Sequence, residues 1–283
     1  MRTTLPMDGK VCLITGATSG IGLVTARVLA ERGTTVIIVG RSQAKSAATV
    51  EQITSATGNP KVAYMLADLS AQHAVRQLAA QVRAEHPQLH VLINNAGAVL
   101  LRREQSVDGI EMTWALNHLA YFLLTDLLLD TLKASAPARV ISVASNAHER
   151  GRINFDDPQR ATGFSAYAQS KLANVLFTRE LARRLAGSGV TANVLHPGVV
   201  ATSFGTNNGW IGRALRPLFN RGSISPEQGA QTIIYLACAP EVGQISGQYF
   251  YQSRPIPAAP AAQDDAAAQR LWALSQRMTA ATA

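Results

Sequence analysis

The sequence predicts an α/β fold: one domain over residues 1–283, with a doubly wound parallel sheet of about seven strands and helices on both faces. Three observations carry this expectation. Short apolar runs alternate with segments of helical periodicity along most of the chain, the rhythm of strand–crossover–strand units. A glycine-rich segment, Thr15-Gly16-Ala17-Thr18-Ser19-Gly20-Ile21-Gly22, lies between the first apolar run and the first helical one. With 283 residues and 47% hydrophobic content, the chain can bury a sheet on both sides.

The first strand is the unbroken apolar run 11–14, the pattern of a parallel strand buried on both faces. Past the glycines, residues 22–32 have helical spacing, and the β-branched run 35–39 returns as a strand. A helix over 44–57 leads to a strand at 62–66, and a helix over 71–86 to a strand at 90–93. The apolar periodicity around 108–133 predicts one long helix ahead of the strand 139–144. Residues 166–185 read as a helix and 190–195 as a strand. Segment 202–225 mixes glycines, arginines and bulky apolar residues, and Ser225-Pro226-Glu227 is a start signal for a helix over 226–238. A short strand at 247–251, a Pro/Ala linker at 255–260 and an amphipathic helix at 264–278 complete the pass. No domain boundary or internal repeat interrupts it.

The formal charge of +8 invites a nucleic-acid reading. Its distribution argues against one, because basic residues occur in ones and twos (Arg102-Arg103, Arg183-Arg184) without aromatic interleaving. A positive field does favour an anionic phosphate cofactor. Two isolated cysteines, Cys12 and Cys238, make neither a disulfide framework nor a zinc site, and no histidine spacing predicts a metal. His118, His148 and His196 read as surface or internally satisfied residues, with His148 a candidate pocket-lining side chain. No signal peptide is visible, and the apolar stretch 119–132 contains Asp126 and Asp130 and is too short to span a bilayer. A soluble, cytoplasmic protein is expected.

Gly16, Gly20 and Gly22 open a helix directly after a strand, where a tight turn lets phosphate approach free N–H groups and the positive end of the helix dipole. The spacing GxxxGxG differs from GxGxxG, so by itself it also fits a plain strand–helix turn. The second strand ends Val39-Gly40-Arg41 with no carboxylate for a ribose 2′-hydroxyl. Arg41 would instead pair with a 2′-phosphate, which favours NADP(H) over NAD(H); the bland alternative is a surface arginine after a strand. Downstream, Tyr167 and Lys171 stand at positions i and i+4 of a helix, sharing a face, so the ammonium can favour the phenolate. A dinucleotide turn with such a pair points to hydride chemistry on a carbonyl or an alcohol.

Taken together, TGATSGIG at 15–22, Asp68-Leu69, NNAG at 94–97, Asn117, Ser145, YAQSK at 167–171 and Pro197-Gly198 resemble the short-chain dehydrogenase/reductase superfamily over nearly the whole chain. ASNAH at 144–148, SKLAN at 170–174, HPG at 196–198 and Leu271-Trp272 resemble its retinol dehydrogenase-like and WW-domain oxidoreductase-like branch. The resemblance implies a single-domain Rossmann fold and a catalytic set of Asn117, Ser145, Tyr167 and Lys171. Tyr167 would be the general acid/base, Ser145 would bond the substrate oxygen, Lys171 would hold the nicotinamide ribose, and Asn117 would hold a water in a proton relay. Cofactor contacts are implied for Gly16, Ser19, Gly20, Ile21, Gly22, Arg41, Asp68, Leu69, Asn95, Ala96, Gly97, Pro197, Gly198, Val200 and Thr202, besides Tyr167 and Lys171.

In that branch the substrate is expected to be a bulky, hydrophobic carbonyl compound or alcohol. The segment 202–225, with Trp210, Ile211, Leu215, Leu218 and Phe219 among arginines, resembles a substrate lid; the same pattern suits a membrane surface. The family analogy also implies a homodimer or homotetramer packed through the helices near 117–133 and 166–185. The competing function is a non-catalytic NADP(H)-binding sensor, against which the complete Asn-Ser-Tyr-Lys set argues. A nucleotide-sugar epimerase is disfavoured, since the chain has neither a TGxxGxxG turn nor a large C-terminal substrate domain.

Overall fold

A computed structural model describes residues 7–199 and 224–280. An eight-stranded sheet runs through it in the order β3-β2-β1-β4-β5-β6-β7-β8. In chain order the elements are β1 (Val11–Thr15), α1 (Gly20–Glu31), β2 (Thr35–Gly40), α2 (Gln43–Thr57), β3 (Val62–Leu66), α3 (Gln72–Glu85) and β4 (Val91–Asn94). Then come α4 (Ala120–Ala134), β5 (Ala138–Val143), α5 (Gly163–Arg184), β6 (Val190–Leu195), α6 (Pro226–Cys238), β7 (Tyr249–Tyr251), β8 (Arg254–Ile256) and α7 (Asp265–Thr279). Strands β1 to β7 pair in parallel. The fold is the doubly wound α/β arrangement expected, and β1 and β4 flank the point where strand order reverses, the place at which such sheets open a crevice.

Apolar side chains on the two sheet faces build two layers. One packs Val75, Leu78, Leu124, Leu128, Phe177 and Trp272 from α3, α4, α5 and α7 against Leu13 and Leu92. The other packs Leu29, Ile53, Ile233 and Leu236 from α1, α2 and α6 against Cys12, Ile14 and Ile93. In α1 the buried positions Gly22, Thr25, Ala26, Leu29 and Ala30 form one face with helical spacing. The expected start of α6 is a capping box: the Ser225 hydroxyl accepts from Gln228 N at 3.2 Å while Gln228 Oε1 accepts from Ser225 N at 3.0 Å.

Two elements differ from the sequence expectation. The long helix predicted around 108–133 starts later, with Glu111 accepting from the backbone N–H groups of Thr113 (3.0 Å) and Trp114 (2.8 Å). It then passes from a short turn, Met112–Trp114, through a π-helical turn at Ala115–Leu119 before α4. Second, the linker expected at 255–260 begins inside an eighth strand: β8 pairs antiparallel with β7, with Pro255 opposite Phe250. A proline is tolerated there because β8 is the sheet's edge.

Helix α7 closes over α5, and α5 is buried continuously from Ala166 to Thr178. Trp272 of α7 lies edge-on to Phe122 (4.9 Å between centroids) and stacked with Phe177 (5.9 Å), under the Arg184 guanidinium at 4.3 Å. Helix α7 thus packs along α5, one of the two helices through which the family analogy implied an oligomer. Among the described residues, no helix is long and apolar enough to cross a membrane.

Candidate active site

A cleft of about 580 Å³ opens at the crevice beyond β1 and β4. Gly16, Ser19, Gly20, Ile21 and Gly22 line one end, Arg41 and Lys45 lie beside them, and Ser145, Tyr167, Lys171, Pro197 and Gly198 line the other. Asn95, Ala96 and Gly97 run between.

The glycine end is built by close backbone approach. Gly16 has φ +67°, and a Cβ there would lie 2.8 Å from Ala96 Cα. A Cβ on Gly22 would lie 2.5 Å from the Gly16 carbonyl oxygen and 2.7 Å from Asn95 Nδ2. Asn95 Nδ2 donates to Thr15 O (2.8 Å) and Gly16 O (3.1 Å), while the Thr15 hydroxyl accepts from the N–H groups of Asn95 and Ala96. These bonds lock the turn after β1 to the turn after β4. Ser19 occupies the N-cap of α1 without a side-chain capping bond, and the first turn holds no acidic residue. The helix therefore presents N–H groups and a positive dipole end to the cleft, a ready site for phosphate. Arg41 and Lys45, exposed at the end of β2 and the start of α2, add positive charge.

At the other end, α5 carries Tyr167 and Lys171 on one buried face, as the i, i+4 spacing predicted. Lys171 Nζ donates to Val143 O at 2.9 Å and lies 5.6 Å from the Tyr167 ring centroid. Ser145 follows β5 directly, and its hydroxyl accepts from Ala147 N at 3.2 Å and is hydrogen-bonded with Tyr167. Burial pushes the Tyr167 phenol up to about 12, with the Ser145 bond pulling the other way, and pushes Lys171 down to about 7. The sequence led us to expect a phenol depressed by the ammonium. In the protein alone, desolvation prevails, because both groups are almost wholly removed from water.

Asn117 lies in the π-helical turn, fully buried. Its side chain accepts from Ala98 N at 2.9 Å and donates to Ala98 O at 2.9 Å and Ser170 Oγ at 3.2 Å, pinning the post-β4 turn to this helix. Its carbonyl accepts from Asn174 Nδ2 at 2.9 Å. The neighbouring Leu116 lines the cleft.

Leu69 lines the cleft, but Asp68 does not: it is exposed, with one carboxylate oxygen accepting from Ser70 N (3.0 Å) and Ser70 Oγ (2.7 Å). Val200, Thr202 and all of the expected lid except Ile224 and Ser225 lie outside the described residues. Sequence reading missed Lys45, which was legible as the residue one turn after Arg41, and Thr15, whose hydroxyl binds the two loops. The three histidines are internally satisfied. His118 meets Ser275 Oγ at 2.8 Å and Asn174 Oδ1 at 3.4 Å, His148 meets Ser145 O at 2.8 Å, and His196 Nδ1 accepts from Gly198 N at 3.3 Å. Among the described residues no cluster of His, Cys, Asp and Glu is arranged to hold a metal ion.

Comparison with known proteins agrees with this geometry. A family model described as short chain dehydrogenase matches residues 10–209. Retinol dehydrogenase 13 of Homo sapiens is 44% identical over 286 residues, covering 98% of this chain and 86% of that protein. A crystal structure of an uncharacterized protein from Mycobacterium paratuberculosis superposes with a TM-score of 0.78 at 35% identity, covering 97% of this chain and 95% of that one. A short chain dehydrogenase from Burkholderia cenocepacia J2315, solved in complex with NADP, gives a TM-score of 0.69 at 28% identity, covering 87% and 96%. On the family match and on identity sustained over nearly its full length, the chain belongs to the short-chain dehydrogenase/reductase family of NAD(P)-dependent oxidoreductases.

Proposed function

We propose that the protein interconverts a hydrophobic carbonyl compound and its alcohol, using NADP(H), with Tyr167 as general acid/base. The observation that carries this reading is a single cleft lined at one end by the glycine turn of α1 and at the other by Ser145, Tyr167 and Lys171. The residues present fit a dinucleotide: Gly16, Gly20 and Gly22 bring backbone rather than side chains to the cleft wall, and α1 offers there an N-terminus with no acidic residue in its first turn. When bound, the nicotinamide supplies or accepts the hydride.

The chain's own groups do the rest. Tyr167 gives its proton to the carbonyl oxygen in reduction and takes it back in oxidation. Ser145, already hydrogen-bonded with Tyr167, holds that oxygen in line. Lys171, close behind the phenol, favours its ionised form once charged and supports the ribose hydroxyls. Arg41 and Lys45 clamp a 2′-phosphate, which is why we favour NADP(H). Around Tyr167 the surface is apolar: Phe164, half exposed, stands 6.0 Å from the phenol ring, and Val99 and Ala147 pack against Tyr167. The retinol named for a relative matches that surface in kind, so we propose long, lipophilic alcohols and aldehydes as the substrate class.

The test is oxidation of NADPH and NADH by purified protein against aldehydes and ketones graded from small and polar to long and apolar. Turnover with NADPH should rise with substrate hydrophobicity and vanish in Tyr167→Phe, while NADPH binding persists. An active Tyr167→Phe protein would remove Tyr167 from the mechanism.

A further inference from the structure

His148 lies one turn past Ser145 and is 1% exposed. Its Nε2 faces the backbone N–H of Ala259 at 3.2 Å. A backbone N–H can only donate, so Nε2 must be the bare nitrogen and the single imidazole proton sits on Nδ1. Nδ1 lies 2.8 Å from the Ser145 carbonyl oxygen, which it therefore bonds as donor, and 3.3 Å from the Tyr249 hydroxyl. The same carbonyl accepts from His148 N at 3.1 Å, so one residue supplies both donors to it. The ring is held in orientation by Tyr249, 4.8 Å away centroid to centroid, and Tyr249 is in turn stacked on His196 at 5.6 Å. Burial keeps His148 below its ordinary range and hence neutral, consistent with this tautomer.

Ser145 is the first residue beyond β5, extended at φ −162°, and it caps the 3₁₀ turn Asn146–Arg150. Its side chain points into the cleft only while that backbone direction holds. From this arrangement we infer that His148 is a positioning residue: through Nδ1–H it fixes the Ser145 carbonyl, and so aims the Ser145 hydroxyl at Tyr167. This rests on the role given to Ser145 above. The Ala259 bond, by contrast, orients the imidazole and sets its tautomer.

Two substitutions separate the two nitrogens. Asparagine places an amide N–H near Nδ1 and abandons Ala259; glutamine reaches the Nε2 position and abandons Ser145. With NADPH and decanal as probe, His148→Gln should lose about 10- to 100-fold in kcat, the scale of a small misplacement at a reacting centre, with the NADPH dissociation constant unchanged. His148→Asn should restore kcat to near the wild-type value. Equal loss in both variants, or loss in His148→Asn alone, overturns the proposal. Independently of turnover, the ¹⁵N imidazole spectrum of the wild-type protein should show the neutral Nδ1–H form for His148; an Nε2–H form also overturns it. Ser145→Ala is the reference: if it turns over like the wild type, the role of Ser145 has failed, while the spectrum still decides the His148 bond.

Discussion

Replacing Lys171 by methionine should stabilise the cofactor-free protein near neutral pH while abolishing turnover. In the unfolded chain the ammonium titrates near 10.5, and in the fold burial holds it near 7. Between those values the unfolded state binds a proton that the folded state does not, so stability rises with pH through that window and the full penalty applies below it. At about 1.4 kcal/mol per tenfold displacement, the burial penalty at pH 7 is on the order of 4 kcal/mol. Methionine also strips Val143 O of its Lys171 partner, leaving the Tyr121 hydroxyl at 3.5 Å. A weakly satisfied buried carbonyl costs about 1–3 kcal/mol. The net gain is then about 1–3 kcal/mol, or roughly 2–10 °C in Tm for a chain of this size. Thermal unfolding of both proteins without cofactor from pH 6 to 10 reads it directly. The difference curve cancels the other titrating groups, including the raised thiols of Cys12 and Cys238. It should be largest at pH 6, begin to fall near pH 7 and shrink toward pH 10. Parallel curves would refute the desolvated lysine.

Arg41→Asp, and more strongly Arg41→Asp with Lys45→Ala, should shift preference from NADPH toward NADH; unchanged cofactor ratios in steady-state kinetics would place recognition of the 2′-phosphate elsewhere. Gly22→Ala forces a Cβ within 2.5 Å of the Gly16 carbonyl, so Tm should fall by about 2–10 °C, the scale of overpacking, and NADPH titration should show weakened binding. A Gly22→Ala protein that binds NADPH normally would mean the turn has slack. Trp272→Ala removes the contact among Phe122, Phe177 and Arg184 and should cost about 3–5 kcal/mol by denaturant unfolding. With α7 loosened, the bared face should also promote self-association in sedimentation velocity.

The parts of the site that depend on backbone spacing were legible from residues alone. Gly16, Gly20 and Gly22 lie at the crevice because a strand, a tight turn and a helix N-terminus must follow one another, and Tyr167 and Lys171 share a face because helices repeat at i+4. What escaped was set by tertiary surroundings. The π-helical turn at Ala115–Leu119 leaves the apolar pattern intact, so periodicity ran through it. Strand β8 is three residues long with a proline at its centre, which read as a linker. The direction of the Tyr167 shift depends on how completely α5 is enclosed, and no pair spacing carries that information. For Asp68 the resemblance implied a cofactor contact; the local turn, in which one carboxylate oxygen accepts from Ser70, is a feature no motif spacing carries.

Helix α7 also has a consequence in time. Ser275 anchors His118, which meets Asn174, which in turn holds the Asn117 carbonyl. Residues 265–279 leave the ribosome last among the described elements, yet they supply one end of this buried chain and the cover over Phe122 and Phe177. The nascent chain can pair β1 through β6 early. The polar seam around Asn117 is complete only after α7 docks, so catalytic competence should wait on the emergence of residues 265–279.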